Sequence, residues 1–166
     1  MADPIRRPSP APRARSRLPL YAFLLGLAIS VIAIDQVVKA VVSAELRSGR
    51  VVDLLGGLVR LDYTSNAGAA FGFFQNGGLL FALVAIVVSV AIVAYFWRAE
   101  NSPLLVRTAL GLILGGAVGN LIDRVRLGFV VDFIDLRWWP VFNLADSAIV
   151  IGVALLLLHA LLQPQA

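Results

Sequence analysis

A chain of 166 residues that is 60% hydrophobic and only 14% charged lies outside the range of soluble domains, which average about 45–50% apolar and about 25% charged residues. The length fits one compact domain, and the absence of cysteine excludes disulfides, thiolate metal sites and a cysteine nucleophile. The net charge of +4 does not point to nucleic acid: 13 of the 14 basic residues are arginine, and five of them fall in the first 17 residues, ahead of an apolar run, where they read as a topology signal.

Residues 1–17, rich in Pro, Arg, Ser and Ala without apolar periodicity, are expected to form a disordered basic cytoplasmic tail. Four apolar segments follow, over about 18–42, 77–97, 104–122 and 141–162, each near the ~20 residues that cross a ~30 Å hydrocarbon core. A cleaved signal peptide ending at Val42-Ser43-Ala44 is the competing reading of the first. Such a segment usually has an apolar region of only about 7–15 residues and no charged pair near its end.

Between the first two helices, residues 43–76 contain the alternating stretch Leu58-Val59-Arg60-Leu61-Asp62-Tyr63, which predicts a short strand pair. Residues 123–140 are polar and close on Trp138-Trp139-Pro140, a pair of indoles suited to the membrane interface. The expected fold is an all-α membrane protein: a four-transmembrane-helix bundle over 18–163 with a small outward-facing β-sheet cradle in 43–76 and 123–140. Arginine counts of seven against six on the two sides barely differ, so the dense N-terminal cluster sets the orientation, with both termini cytoplasmic.

An ionisable group at membrane depth costs several kcal/mol unless paired or wet, so each one requires a reason. Asp35 and Lys39 lie four apart on one helix face and read as a structural salt bridge. Asn120 shares a face with Asp123 and Arg124, and the Arg124 guanidinium is either an interfacial anchor or a clamp for a carboxylate or carbonyl. Asn143 and Asp146 open the last helix as an N-cap with an acid in the first turn, which the helix dipole alone would favour.

The accumulation of Asp123, Asp132, Asp135 and Asp146 at one boundary, beside Asn120 and Asn143, goes beyond capping. Two close carboxyls share one proton, leaving one as acid and the other as base toward a water that attacks a peptide carbonyl. Spacing does not choose the pair among these acids. His159, far along the last helix, reads as a packed or interfacial histidine, and one lone histidine with no cysteine leaves a metal site without its usual ligands. Gly111, Gly115, Gly116 and Gly119 provide close helix packing. Around Asn66, the small residues Ala67, Gly68, Ala69 and Ala70 let backbone approach a ligand.

Five stretches resemble the sequence blocks of bacterial lipoprotein signal peptidases, the type II signal peptidases. They are Asp35-Gln36-Val37-Val38-Lys39, Asn66-Ala67-Gly68-Ala69-Ala70-Phe71, Gly119-Asn120-Leu121-Ile122-Asp123-Arg124, Val131-Asp132-Phe133 and Phe142-Asn143-Leu144-Ala145-Asp146-Ser147, in the family's order. The resemblance implies an aspartic endopeptidase of the bacterial inner membrane, with its site toward the periplasm. Its substrates would be diacylglyceryl-modified prolipoproteins, cut just before the lipidated cysteine. Asp132 and Asp146 would be the catalytic dyad. Asn66, Asn120, Arg124 and Asn143 would position substrate or support the dyad, with Asp35, Lys39, Gly68 and Asp123 in structural or supporting roles. No cofactor, metal or nucleic acid is implied; the partners are the lipidated substrate and membrane lipids, and a monomer is expected. The alternative from another class is a small transporter or channel subunit with an acidic ion site at its outer face. The uninterrupted apolar middles of the second and fourth segments count against it.

Overall fold

A computed structural model of the chain describes residues 18–68, 78–98 and 102–163. The tail expected over 1–17, and the small-residue loop from Ala69 to Gly72, lie outside these residues. The described residues form four α-helices, α1 (Leu18–Leu46), α2 (Gly78–Arg98), α3 (Leu104–Leu127) and α4 (Leu144–Leu162). All four are long and apolar enough to cross a membrane.

Helix ends follow stop signals and not hydropathy. α3 continues past its last apolar run to Gly128, whose φ of 81° is left-handed and whose N–H closes the helix on the Arg124 carbonyl at 3.0 Å. α1 likewise runs on to Leu46, beyond the expected 42, until Gly49 at φ 90° turns the chain. α4 starts later than the expected 141, because Asn143 caps it.

Three strands, β1 (Val52–Leu54), β2 (Val59–Asn66) and β3 (Val130–Asp135), form an antiparallel sheet in the order β1-β2-β3. β1 and β2 are the predicted local pair, joined by a tight turn through Leu55–Gly57. β3 arrives from the connection between α3 and α4 and pairs Arg60 with Asp135 and Asn66 with Val130. A backbone bridge from Ile134 to Phe142 then leads the chain into α4.

α3 is the central helix: 56% of its apolar window is buried, against 17% in each of the other three. Small residues allow this. A Cβ on Gly115 would lie 2.9 Å from the Ala28 carbonyl of α1, and one on Gly152 would lie 2.6 Å from the Ala109 carbonyl. One apolar cluster, Leu24, Ala28, Ile92, Phe96, Ile113 and Leu114, joins α1, α2 and α3. A second, Val42, Leu46, Val131 and Phe133, seats the sheet on the end of α1. The sheet is thereby held where α3 ends and α4 begins.

Candidate active site

Successive strand residues point to opposite faces. Val131 and Phe133 pack under the end of α1, so Asp132 between them is sent to the other face, where α4 begins. There its carboxyl is buried at 2% exposure, and both oxygens accept amide N–H groups. Asn143 Nδ2 donates to Oδ1 at 2.7 Å, and Asn66 Nδ2, from the end of β2, donates to Oδ2 at 2.9 Å. The Asn66 oxygen in turn accepts the Gly68 N–H at 3.2 Å, which fixes the amide with its nitrogen toward Asp132.

Asp146 is the third residue of α4 and half of a capping box. The Asp146 N–H donates to Asn143 Oδ1 at 2.9 Å, and the Asn143 N–H donates to Asp146 Oδ2 at 3.3 Å. Its other oxygen accepts Asn120 Nδ2 at 2.7 Å. The helix-cap reading of this pair and the site reading therefore coincide: one asparagine caps α4 and bonds to both Asp132 and Asp146. Burial pushes the Asp132 carboxyl up from 3.8 to about 6, and the nearby Asp146 charge pushes in the same direction, while the two amides and Lys39 pull it back.

The other acids divide away from this pair. Asp123 and Asp35 flank Lys39 Nζ at 2.9 and 2.8 Å, all three side chains buried, so the expected Asp35–Lys39 bridge is one side of a three-residue charge cluster. Asp135 is engaged by Arg60 at 2.9 Å and by the Arg137 N–H at 2.7 Å. His159 sits thirteen residues after Asp146, about 20 Å along α4 at 1.5 Å per residue, where its ring pairs with the Gln163 amide at 3.0 Å.

Arg124 makes no ion pair with an acid among the described residues. Its Nη1 donates to the Asn120 carbonyl at 3.3 Å, and its guanidinium stands 5.5 Å from the Phe81 ring centroid. Arg124, Asn120 and Asp146 form the polar end of a cavity of about 240 Å³ between α2, α3 and α4, otherwise lined by apolar residues such as Val84, Ile113 and Ile149. On its other side Asp146 meets a groove of about 390 Å³ lined by Trp138, Trp139, Phe142, Val150 and Ile151. The carboxyl thus stands between two apolar recesses, an arrangement suited to a substrate with a polar centre and greasy flanks.

Two contributors were missed in the sequence. Gln36 Nε2 donates to Asp123 Oδ1 at 2.9 Å and to the Gly119 carbonyl at 3.2 Å, latching α1 to α3. A lone amide inside an apolar run was the available signal. Phe81 gave none, since an aromatic residue at a helix start reads as packing.

A family model described as signal peptidase (SPase) II matches residues 27–162. The lipoprotein signal peptidase of Syntrophomonas wolfei is 50% identical over 137 residues, covering 82% of this chain and 91% of that one. That of Moorella thermoacetica is 48% identical over 141 residues, covering 84% and 93%. A solved structure titled as a bacterial membrane enzyme determined in meso at 1.9 Å resolution superposes with a TM-score of 0.77 at 33% identity, covering 86% of this chain and 94% of that one.

Proposed function

The chain belongs to the signal peptidase II family, and from that premise we propose that Asp132 and Asp146 form the dyad with which it removes the signal peptide from prolipoproteins. It is an aspartic peptidase of the membrane. The observation that carries the dyad reading is the bridging of both carboxyls by Asn143, with a raised Asp132 pKa beside the Asp146 charge. A pair so coupled titrates jointly, and the repulsion between its two charges favours a state that shares one proton.

In the reaction the ionised carboxyl takes a proton from water as the oxygen attacks the scissile carbonyl carbon, and the protonated partner donates to the developing oxyanion. Collapse of the tetrahedral species breaks the C–N bond, with the leaving nitrogen taking up a proton, and the dyad returns to its shared-proton state. Asn66, Asn120 and Asn143 keep the carboxyls in place for these transfers. Gly68 holds Asn66, and Arg124 offers N–H donors to a substrate carbonyl at the mouth of the cavity.

The substrate is a diacylglyceryl-modified prolipoprotein cut before its lipidated cysteine. Acyl chains and signal segment fill apolar recesses beside Asp146, so binding far from the reacting atoms orients the bond. The enzyme works as a monomer in the bacterial inner membrane among its lipids, with the sheet on the periplasmic side, both termini and the 1–17 tail cytoplasmic, and 18–163 as the peptidase domain. The transporter alternative is not favoured, because the relatives matched over most of the chain are named as peptidases.

Purified protein incubated with a precursor carrying or lacking its diacylglyceryl group tests this reading. Mass spectrometry should find one cut, before the modified cysteine, in the lipidated precursor alone. Equal cleavage of both forms would remove the lipid from the recognition argument.

A further inference from the structure

Lys39 holds all three of its N–H bonds in fixed directions. They point to Asp35 Oδ2 at 2.8 Å, Asp123 Oδ2 at 2.9 Å and Asn120 Oδ1 at 2.9 Å, and the residue is only 3% exposed. Each of the two acids reaches one residue further. Asp35 Oδ1 accepts the N–H of Ala145, which immediately precedes Asp146. Asp123 Oδ2 accepts the N–H of Val131, which immediately precedes Asp132. The third contact, Asn120, turns its Nδ2 to Asp146 Oδ1 at 2.7 Å. Every branch from Lys39 therefore ends on, or one residue before, a dyad carboxyl.

The direction of the Asn120 amide follows from this cation. An ammonium has donors and no acceptor, so the Asn120 oxygen must face Lys39 and the amide nitrogen must face Asp146. Turning the amide over would set its NH₂ against the ammonium and against the Asn143 NH₂, which donates to the same oxygen at 3.0 Å. Asn143 is held separately by the α4 cap; among the described residues the Asn120 side chain, inside α3, has no such backbone partner. Without Lys39 the Asn120 oxygen would keep only the neutral Asn143 donor, and bonds to a charged donor are roughly twice as strong as neutral ones.

We infer that Lys39 is a positioning residue for peptide cleavage: it sets the Asn120 amide and the backbone entering both carboxyls, and so fixes their separation and the donor facing Asp146. The inference rests on the dyad reading above. A salt bridge that only held α1 to α3 would need neither the amide contact nor acids bonded to those two particular N–H groups.

The test is a cycle of variants assayed on a lipidated precursor, with kcat and KM separated and thermal unfolding recorded in the same detergent. Lys39→Met alone leaves two buried carboxylates without their cation and is at risk of misfolding. Lys39→Met combined with Asp35→Asn keeps the formal charge of the cluster unchanged, since one cation and one anion are removed together. We expect this pair to melt near the parent temperature and to lose about a hundredfold in kcat, with KM within about threefold. In an Asn120→Ala background the same pair should cost about tenfold or less further, because the Asn120 branch is already gone and only the backbone branches remain to be lost.

Losses that multiply in that background, or a pair variant with parental kcat, would overturn the inference. So would a pair variant that fails to fold, which would assign Lys39 to folding alone. Asp132→Asn and Asp146→Asn run beside it: their retaining turnover would instead defeat the dyad, whatever Lys39 does.

Discussion

Asn143 serves two ends at once, capping α4 through its oxygen and bonding to Asp132 through its nitrogen. Such double use limits what residue-level reading can separate, because Asn-Leu-Ala-Asp is a sound helix start even without chemistry. The sequence led to Asp132 and Asp146 only through family resemblance; spacing left Asp123 and Asp135 equally eligible, since their partners Lys39 and Arg60 lie 84 and 75 residues away. The raised Asp132 pKa has a stability consequence. With a folded value of about 6 against an ordinary 3.8, the folded state binds the proton more tightly, so this group's contribution is most favourable below about pH 4 and is lost as pH rises through 6. Thermal unfolding of the parent should therefore fall between about pH 4.5 and 6.5 more steeply than that of Asp132→Asn; equal slopes would contradict the shift. Asn66→Ala removes a donor from a buried carboxylate and should lower kcat/KM by about tenfold or more, with a smaller effect on melting. Parallel losses of activity and stability would mark Asn66 as structural.

At the scale of elements, the four spans were legible because lipid-facing helices must be apolar along about 20 residues. Their ends were less so: α3 extends to Leu127 because Asp123 is paired with Lys39, and polar residues so satisfied need not end a helix. β2 was visible from alternation, whereas β3, Val-Val-Asp-Phe-Ile-Asp, is buried at five of six positions and shows no period-two pattern. Its partner lies some 70 residues earlier, a pairing no local pattern reports. The α3–α4 contact gives a direct check on packing. A methyl on Gly116 would run into the Ala145 carbonyl, so Gly116→Ala should destabilise by ~1–3 kcal/mol in thermal unfolding. Gly26→Ala, which meets nothing within 4 Å, should leave the melting temperature unchanged or slightly raised; equal effects at both positions would contradict the packing account.

For the whole molecule, the sheet sits at the end of the bundle where α3 stops and α4 starts, and the Asp132–Asp146 pair lies at that junction. With the N-terminal arginines inside, reporter fusions after residue 17 and at the C-terminus should both report cytoplasm; an external C-terminus would contradict the proposed topology. The most direct measurement is turnover of a lipidated precursor by Asp132→Asn and by Asp146→Asn, each purified and checked for folding by its melting temperature. Both variants should remain folded and membrane-inserted while cleavage falls to background. Near-parental turnover by either would contradict a mechanism in which these two carboxyls share the proton that the reaction moves.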